Sequence, residues 1–176
     1  MPRADPYNTD ETYFTDTAKV AFKGATATKE TFADTTTRTW TVMAGKADGD
    51  EAHYGILDNG ELVARIQLMA AHVAQDCPTP FSFVGMAEMP IRYRNQGIGT
   101  GLLGAVFKLH GHELASDLVQ SMGAVSLWKG WIRQHPGKVE LYDDTGSAAV
   151  VTYANGQYAP APWSRANENK RLVRKP

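Results

Sequence analysis

Cysteine is almost absent from this chain of 176 residues, in which Cys77 stands alone. One cysteine excludes a disulfide within the chain and is typical of a reducing compartment. The chain also lacks an excess of charge of either sign, because it has 18 Lys and Arg and 19 Asp and Glu, for a net charge of -1. This balance argues against a protein that binds nucleic acid mainly through its overall charge.

Long apolar runs are also missing, and none approaches the about 20 residues that span a bilayer. The first residues, MPRADPYNTDETYF, contain no apolar core of the signal-peptide kind. We therefore expect a soluble, cytoplasmic protein whose partners include neither membranes nor nucleic acid. Its length and its 43% of hydrophobic residues fit one ordinary core.

The hydrophobic periodicity predicts an α/β fold with a mixed, mostly antiparallel central sheet. Four strands come first, at RTWTVMAG (38–45), on both sides of the turn Asn59-Gly60, and at FSFVGMAEM (81–89). A helix at about 100–112, a short strand at 114–117, a helix at 122–134 and two strands around Asp144-Thr145-Gly146 follow. AKVAFKG (18–24) is compatible with an edge strand. We expect a poorly defined arm at 1–37, the domain at 38–164 and a basic tail at 165–176.

The stretch RYRNQGIGTGLL (92–103) places three glycines at the entrance of the first predicted helix. Glycine weakens a helix by about 1 kcal/mol relative to alanine, but without side chains an anion can approach the free backbone amides of the first turn. The spacing fits neither the nucleoside triphosphate loop nor the dinucleotide fingerprint. A second interpretation stays open, in which Gly101 and Gly104 let the helix pack tightly on the sheet.

The residues around these glycines resemble a known family. Arg94-Asn95-Gln96-Gly97-Ile98-Gly99 matches the [RQ]-x-x-G-x-[GA] signature of the GNAT superfamily of N-acetyltransferases. The resemblance covers roughly residues 38 to 155 and implies a GNAT-like acyltransferase fold, whose fourth and fifth strands splay apart around acetyl-CoA, the acyl donor. The cofactor-binding residues that it implies are Met89, Ile91, Arg94, Asn95, Gln96, Gly97, Ile98, Gly99, Thr100 and Gly101.

The catalytic residues depart from the family pattern. Typical members carry N-x-x-A-x-x-x-Y, whose tyrosine can protonate the departing thiolate, whereas this chain has Ser121 at the first position and Trp128 at the last. An indole N–H donates a hydrogen bond but supplies no proton at useful pH. We predict Glu88 as the base, with Trp128 at the sulfur, or Ser126 in its place if Trp128 belongs to the core.

Two functions follow from the resemblance. The first is acetyl-CoA-dependent N-acetylation of an amine on a small molecule or a protein. The second is a catalytically weak GNAT-fold protein that binds a protein partner, as in the short phage or mobile-element proteins that this chain resembles, which would act in a host cytoplasm. A homodimer stays open, and the acceptor amine is not identified.

Two other motifs carry less weight. The turn Asp144-Thr145-Gly146 resembles that of aspartic proteases, but Tyr142 and Asp143 replace the aliphatic residues expected before it. A polar hairpin turn is the preferred interpretation. His110 and His112 point apart on a helix at this spacing, so we expect no metal there.

Overall fold

The computed structural model describes residues 14, 16–69, 82–110, 114–116, 122–142, 149–157, 162 and 171–174. The helices among them are α1 (Asp16–Ala21), α2 (Ile98–His110) and α3 (Met122–Gln134), with a short 3₁₀ helix at Ile91–Tyr93. The strands are β1 (Thr26–Ala33), β2 (Thr39–Ala44), β3 (Glu51–Asp58), β4 (Glu61–Met69), β5 (Ser82–Glu88), β6 (Leu114–Ser116), β7 (Val139–Tyr142), β8 (Ala149–Thr152) and β9 (Arg171–Arg174).

The described residues divide into two compact units. The N-terminal unit takes those within 9–69 and 85–111, and the C-terminal unit takes those within 70–84 and 112–176. In the part of the chain that the structure describes, no helix is long and apolar enough to cross a membrane.

The strand order in the N-terminal unit is β1-β2-β3-β4-β5, with only residues 85–88 of β5 in this unit, and the first four strands form antiparallel pairs. Asn59 and Gly60 join β3 to β4 with φ of 50° and 86°. Two positive φ angles are what a two-residue type I′ turn requires, which is why this dipeptide closes the hairpin. The predicted hairpin is confirmed.

The core of this unit lies between the sheet and α2. Alternation along β2 buries Trp40 and Val42 and exposes Thr39 and Thr41, as the sequence pattern predicts. α2 packs against β1, β2, β3 and β4. Its buried residues recur at helical spacing and are Ile98, Leu102, Leu103, Ala105 and Val106.

The C-terminal unit has the strand order β5-β6-β9-β7-β8. The first three residues of β5 pair with β6 in parallel, from Ser82↔Leu114 to Val84↔Ser116, and the other pairs are antiparallel. The mixed α/β class with a mostly antiparallel sheet is thereby confirmed. The first strand predicted from the sequence corresponds to β2, because β1 lies in the expected arm. The fourth and fifth predicted strands are therefore β5 and β6. Residues 117–121, which follow β6, lie outside the described residues, so the splay of these two strands stays a prediction.

Two expectations for the chain termini are wrong. AKVAFKG forms no edge strand, because Asp16–Ala21 is helical, and β1 begins at Thr26 within the expected arm. Residues 171–174 are not part of a solvated tail, because they form β9, in which Leu172 and Val173 are each 1% exposed. β9 is an interior strand, paired antiparallel with β6 on one edge and with β7 on the other. Cys77, His112 and the turn at 144–146 lie outside the described residues.

Candidate functional site

The glycine signature begins in the segment between β5 and α2 and ends in the first turn of α2. The 3₁₀ helix Ile91–Tyr93 ends at Arg94, which is extended with φ −69° and ψ 157°. Asn95 and Gly97 then take positive φ of 62° and 74°. Asparagine and glycine are the residues that adopt this conformation most readily, so the local sequence explains the tight turn into α2.

The start of α2 presents unpaired backbone donors. The Gly101 N–H donates to the Gly97 carbonyl at 2.9 Å, which makes Gly97 the cap residue of the helix. The amides of Ile98, Gly99 and Thr100 have no intrahelical acceptor in this geometry. No acidic residue lies in the first turn to compete for them. Together with the positive end of the helix dipole, these amides favour an anion.

Gly97 and Gly101 are required for different reasons. At Gly97 the positive φ disfavours any side chain, and a Cβ would lie 3.2 Å from Thr35 Cγ2. At Gly101 a Cβ would overlap the Phe32 ring, at 2.6 Å from Cε2 and 2.8 Å from Cγ. Because the Gly101 N–H already donates to the Gly97 carbonyl, Gly101 has no free amide for the cofactor that the family resemblance implies. The packing interpretation explains Gly101, whereas a Cβ on Gly104 has no neighbour within 4 Å.

A second loop, between β1 and β2, holds the glycine turn in place. The Thr35 N–H donates to the Gln96 carbonyl at 2.9 Å. A trans peptide group points its C=O and N–H in opposite directions, so the Gly97 N–H faces away from Thr35. The contact therefore fixes the orientation of one amide in the signature.

This loop is organised by the buried carboxylate of Asp34. Its Oδ1 accepts from the Thr36 N–H and hydroxyl at 2.8 and 2.7 Å and from the Arg38 N–H at 3.1 Å. Its Oδ2 accepts from the Trp40 indole at 2.9 Å. The Thr36 hydroxyl contributes most to lowering the pKa of Asp34, and the other hydrogen bonds act in the same direction against burial.

Arg38 links the loop between β1 and β2 to Asp58 at the end of β3. Its guanidinium lies 3.9 Å from the centroid of the Trp40 ring and makes two hydrogen bonds to the Asp58 carboxylate, at 3.1 and 2.7 Å. These bonds lower the pKa of Asp58.

Glu88, the predicted base, lies at the end of β5 in an ion pair with Arg65 of β4. The Arg65 Nε donates to Glu88 Oε2 at 2.5 Å, and the two side chains are 6% and 15% exposed. A buried arginine needs such a partner, so one function of Glu88 is to compensate this charge.

The other predicted residues of the segment lie close to one another. Arg94 is exposed, and its Nε donates weakly to the Met89 carbonyl at 3.4 Å. The Ile91 carbonyl accepts from the Arg94 N–H at 3.1 Å, and the Gln96 side chain donates to the Arg92 carbonyl at 3.0 Å. Ile91 thus lies in a 3₁₀ turn rather than in a continued strand.

Ser126 and Trp128 lie on α3, in the C-terminal unit, whereas Glu88 belongs to the N-terminal unit. Trp128 is 2% exposed and packs edge-on against Trp131, with ring centroids 5.3 Å apart. This packing makes Trp128 part of the core. Ser126 is exposed. His110 packs edge-on against Tyr54 at 5.3 Å.

Of the comparisons with known proteins, only the one with solved structures found similar proteins. No protein-family model and no curated protein sequence matches the chain. A GNAT-family acetyltransferase from Staphylococcus aureus Mu50 has a TM-score of 0.42 and 13% identity over 72% of this chain and 68% of its own. The PaiA N-acetyltransferase from Thermoplasma acidophilum, in complex with coenzyme A, has a TM-score of 0.40 and 15% identity over 72% and 62%. Nourseothricin acetyltransferase has a TM-score of 0.38 and 14% identity over 90% of each chain.

All three are acetyltransferases. Their TM-scores are below 0.5 and their identities below 25%, so the case for a function rests on the residues of this chain.

The sequence predicted the glycine turn but not its supports. Asp34-x-Thr36 is a spacing typical of an Asx turn and would have identified the loop between β1 and β2. Arg65, the one charge within the apolar run LVARIQLM, indicated a buried cation. Neither pattern indicates its distant partner, Gln96 or Glu88.

Proposed function

We propose that this protein is an acetyl-CoA-dependent N-acetyltransferase of the GNAT type. One observation carries the proposal: a GNAT-like signature leads into a helix whose amides at Ile98, Gly99 and Thr100 lack intrahelical acceptors, with no acid in the first turn. In this proposal these amides bind the pyrophosphate of acetyl-CoA, and Gly97 lets it approach. The exposed Arg94, four residues before Ile98, adds a positive charge to this segment.

The chemistry would be the transfer of an acetyl group from a thioester to a neutral amine. Acetyl-CoA supplies the activated acetyl group, and a new C–N bond replaces the C–S bond. A base takes the proton of the attacking amine, and a backbone N–H near Met89 stabilises the negative charge on the carbonyl oxygen. In this proposal Glu88 is the base, and its carboxylate accepts the proton while it lies next to the Arg65 guanidinium.

One observation favours the second candidate, a GNAT-fold protein with little turnover that works by binding a protein partner. Trp128, at the position of the family tyrosine, is buried against Trp131 and has no proton to supply to a leaving thiolate. General acid catalysis contributes about 10²- to 10⁴-fold. Its absence would leave cofactor binding intact and turnover slow.

The proposal is tested by thermal unfolding with and without acetyl-CoA. A ligand at about 100 times its Kd stabilises the native state by about 2.7 kcal/mol, so the wild-type Tm should rise by several degrees. Gly99→Glu should abolish the shift, because it places a carboxylate where the pyrophosphate would bind.

Gly104→Glu is the matched control, because it adds the same charge to the same helix at a position with no neighbour within 4 Å. Its shift should equal that of the wild type. No shift in the wild type at millimolar acetyl-CoA would contradict the proposal. A shift without thiol release over a broad amine panel would favour the binding protein.

A further inference from the structure

A cavity of about 630 Å³ opens within the N-terminal unit, and none of its lining residues belongs to α2. Its walls come from α1 and the turn after it, from the end of the β3–β4 hairpin, and from Pro90 and Arg92 beyond β5. Small-molecule sites typically measure about 300–1,000 Å³. The cavity therefore has the size of a ligand site.

The lining is largely apolar. Phe14 and Phe22 are 9% and 5% exposed, and Pro90 is buried beside them. Leu57 and Leu62, half-buried at the two ends of the hairpin turn, complete this surface. An apolar body of a ligand would be removed from water here, which favours binding by about 25 cal/mol per Å² of buried apolar area.

The charges around the cavity are predominantly positive. Lys19, Lys23 and Arg92 line it, against the single carboxylate of Glu61. All four side chains are exposed, and no carboxylate within the described ranges forms an ion pair with the three cations. Lys19 lies in α1 and Lys23 in the turn that follows it, and both line the cavity. An anion in the cavity would therefore lie between the two lysines on one side and Arg92 on the other.

We propose that this cavity binds an organic carboxylate with an extended apolar body. The apolar lining takes the body of the molecule, and Lys19, Lys23 and Arg92 take the carboxylate. The same cations repel polyamines and other polycations. Resting on the proposed acetyl transfer, this assigns the acceptor class as well: an apolar amine that carries a carboxylate.

The link to the reaction is the segment that the cavity shares with the proposed acetyl-CoA site. Pro90 and Arg92 lie between Glu88, the proposed base, and the turn at Gly97. A molecule held against Pro90 is therefore two residues along the chain from the proposed base.

Octanoate and octylamine test the binding step, because they share one apolar chain and carry opposite charges. In isothermal titration without acetyl-CoA, octanoate should bind at least about tenfold more tightly than octylamine, since a charge-assisted contact replaces a repulsion. Lys19→Gln/Lys23→Gln should weaken octanoate and leave octylamine unchanged or improved. Lys29→Gln, an exposed cation of β1 outside the cavity, is the control and should change neither.

Equal affinity for the two probes, no heat with octanoate at millimolar concentration, or an unchanged octanoate affinity in the double variant would each overturn the cavity proposal. Failure of the proposed function is recognised separately, by the absence of an acetyl-CoA thermal shift. With acetyl-CoA, thiol release should be faster with ω-aminooctanoate than with octylamine. The reverse order would overturn the acceptor assignment.

Discussion

Replacement of Gly101 by alanine should destabilise the protein, although alanine is the better helix residue. A Cβ at this position would overlap the Phe32 ring, with Cε2 only 2.6 Å away. The ring belongs to β1 and is half-buried, so it can turn aside in part. Overpacking typically costs 1–3 kcal/mol, and the gain in helix propensity is about 1 kcal/mol.

Gly104→Ala is the matched comparison, one turn further along α2. Apart from the neighbouring backbone of α2 itself, no described atom lies within 4 Å of its added Cβ, so only the propensity gain remains. We expect Gly101→Ala to lose about 1 kcal/mol and Gly104→Ala to gain up to about 1 kcal/mol. At about 2–4 °C per kcal/mol for a chain of this size, their Tm values should differ by about 4–8 °C.

Urea unfolding of Gly101→Ala, Gly104→Ala, Phe32→Ala and the double variant Gly101→Ala/Phe32→Ala gives the free energies of unfolding that test this. Removal of the ring should turn the alanine at position 101 from destabilising to stabilising, a coupling of about 0.5–3 kcal/mol. Equal stability of Gly101→Ala and Gly104→Ala, or additive effects in the double variant, would refute the packing argument.

Two further predictions concern the same unit. Asp34→Asn should weaken acetyl-CoA binding several-fold in isothermal titration, because the loop that holds Gln96 loses the carboxylate that organises it. Asp58→Asn removes only the ion pair with Arg38 and should leave the affinity for acetyl-CoA unchanged. Burial lowers the pKa of His53 from its ordinary 6.5, so the unfolded chain takes up a proton first as pH falls, and the free energy of unfolding should decrease below about pH 6.5. His53→Gln should flatten that decrease in urea unfolding, and an unchanged slope would contradict the assignment.

The sequence predicted those elements that local chemistry determines. Asn59-Gly60 specifies its own turn, and the apolar spacing along α2 and α3 specifies the buried face of each helix. The signature at 94–99 likewise contains its own explanation, because Asn95 and Gly97 tolerate the backbone that the turn requires.

Elements determined by distant partners were missed. In β9 two apolar residues stand between arginines, a pattern that composition assigns to a tail. The strand forms because β6 and β7 pair with it on both sides, and the Ser116 hydroxyl accepts from the Leu172 N–H at 3.0 Å. Glu88 was predicted from its place at a strand end, but its partner Arg65 is 23 residues away in sequence.

The place of β9 determines the order in which the chain can fold during synthesis. It leaves the ribosome after every other described strand, yet it lies between β6 and β7. Until β9 is synthesised, β6 and β7 each have an edge with unpaired N–H and C=O groups, and such edges can pair with strands of other chains and cause aggregation. The N-terminal unit lies within residues 9–111, so all of it has been synthesised before β6 to β9. The C-terminal unit has to wait, and a nascent chain that stops before residue 171 would expose two unpaired edges to the cell.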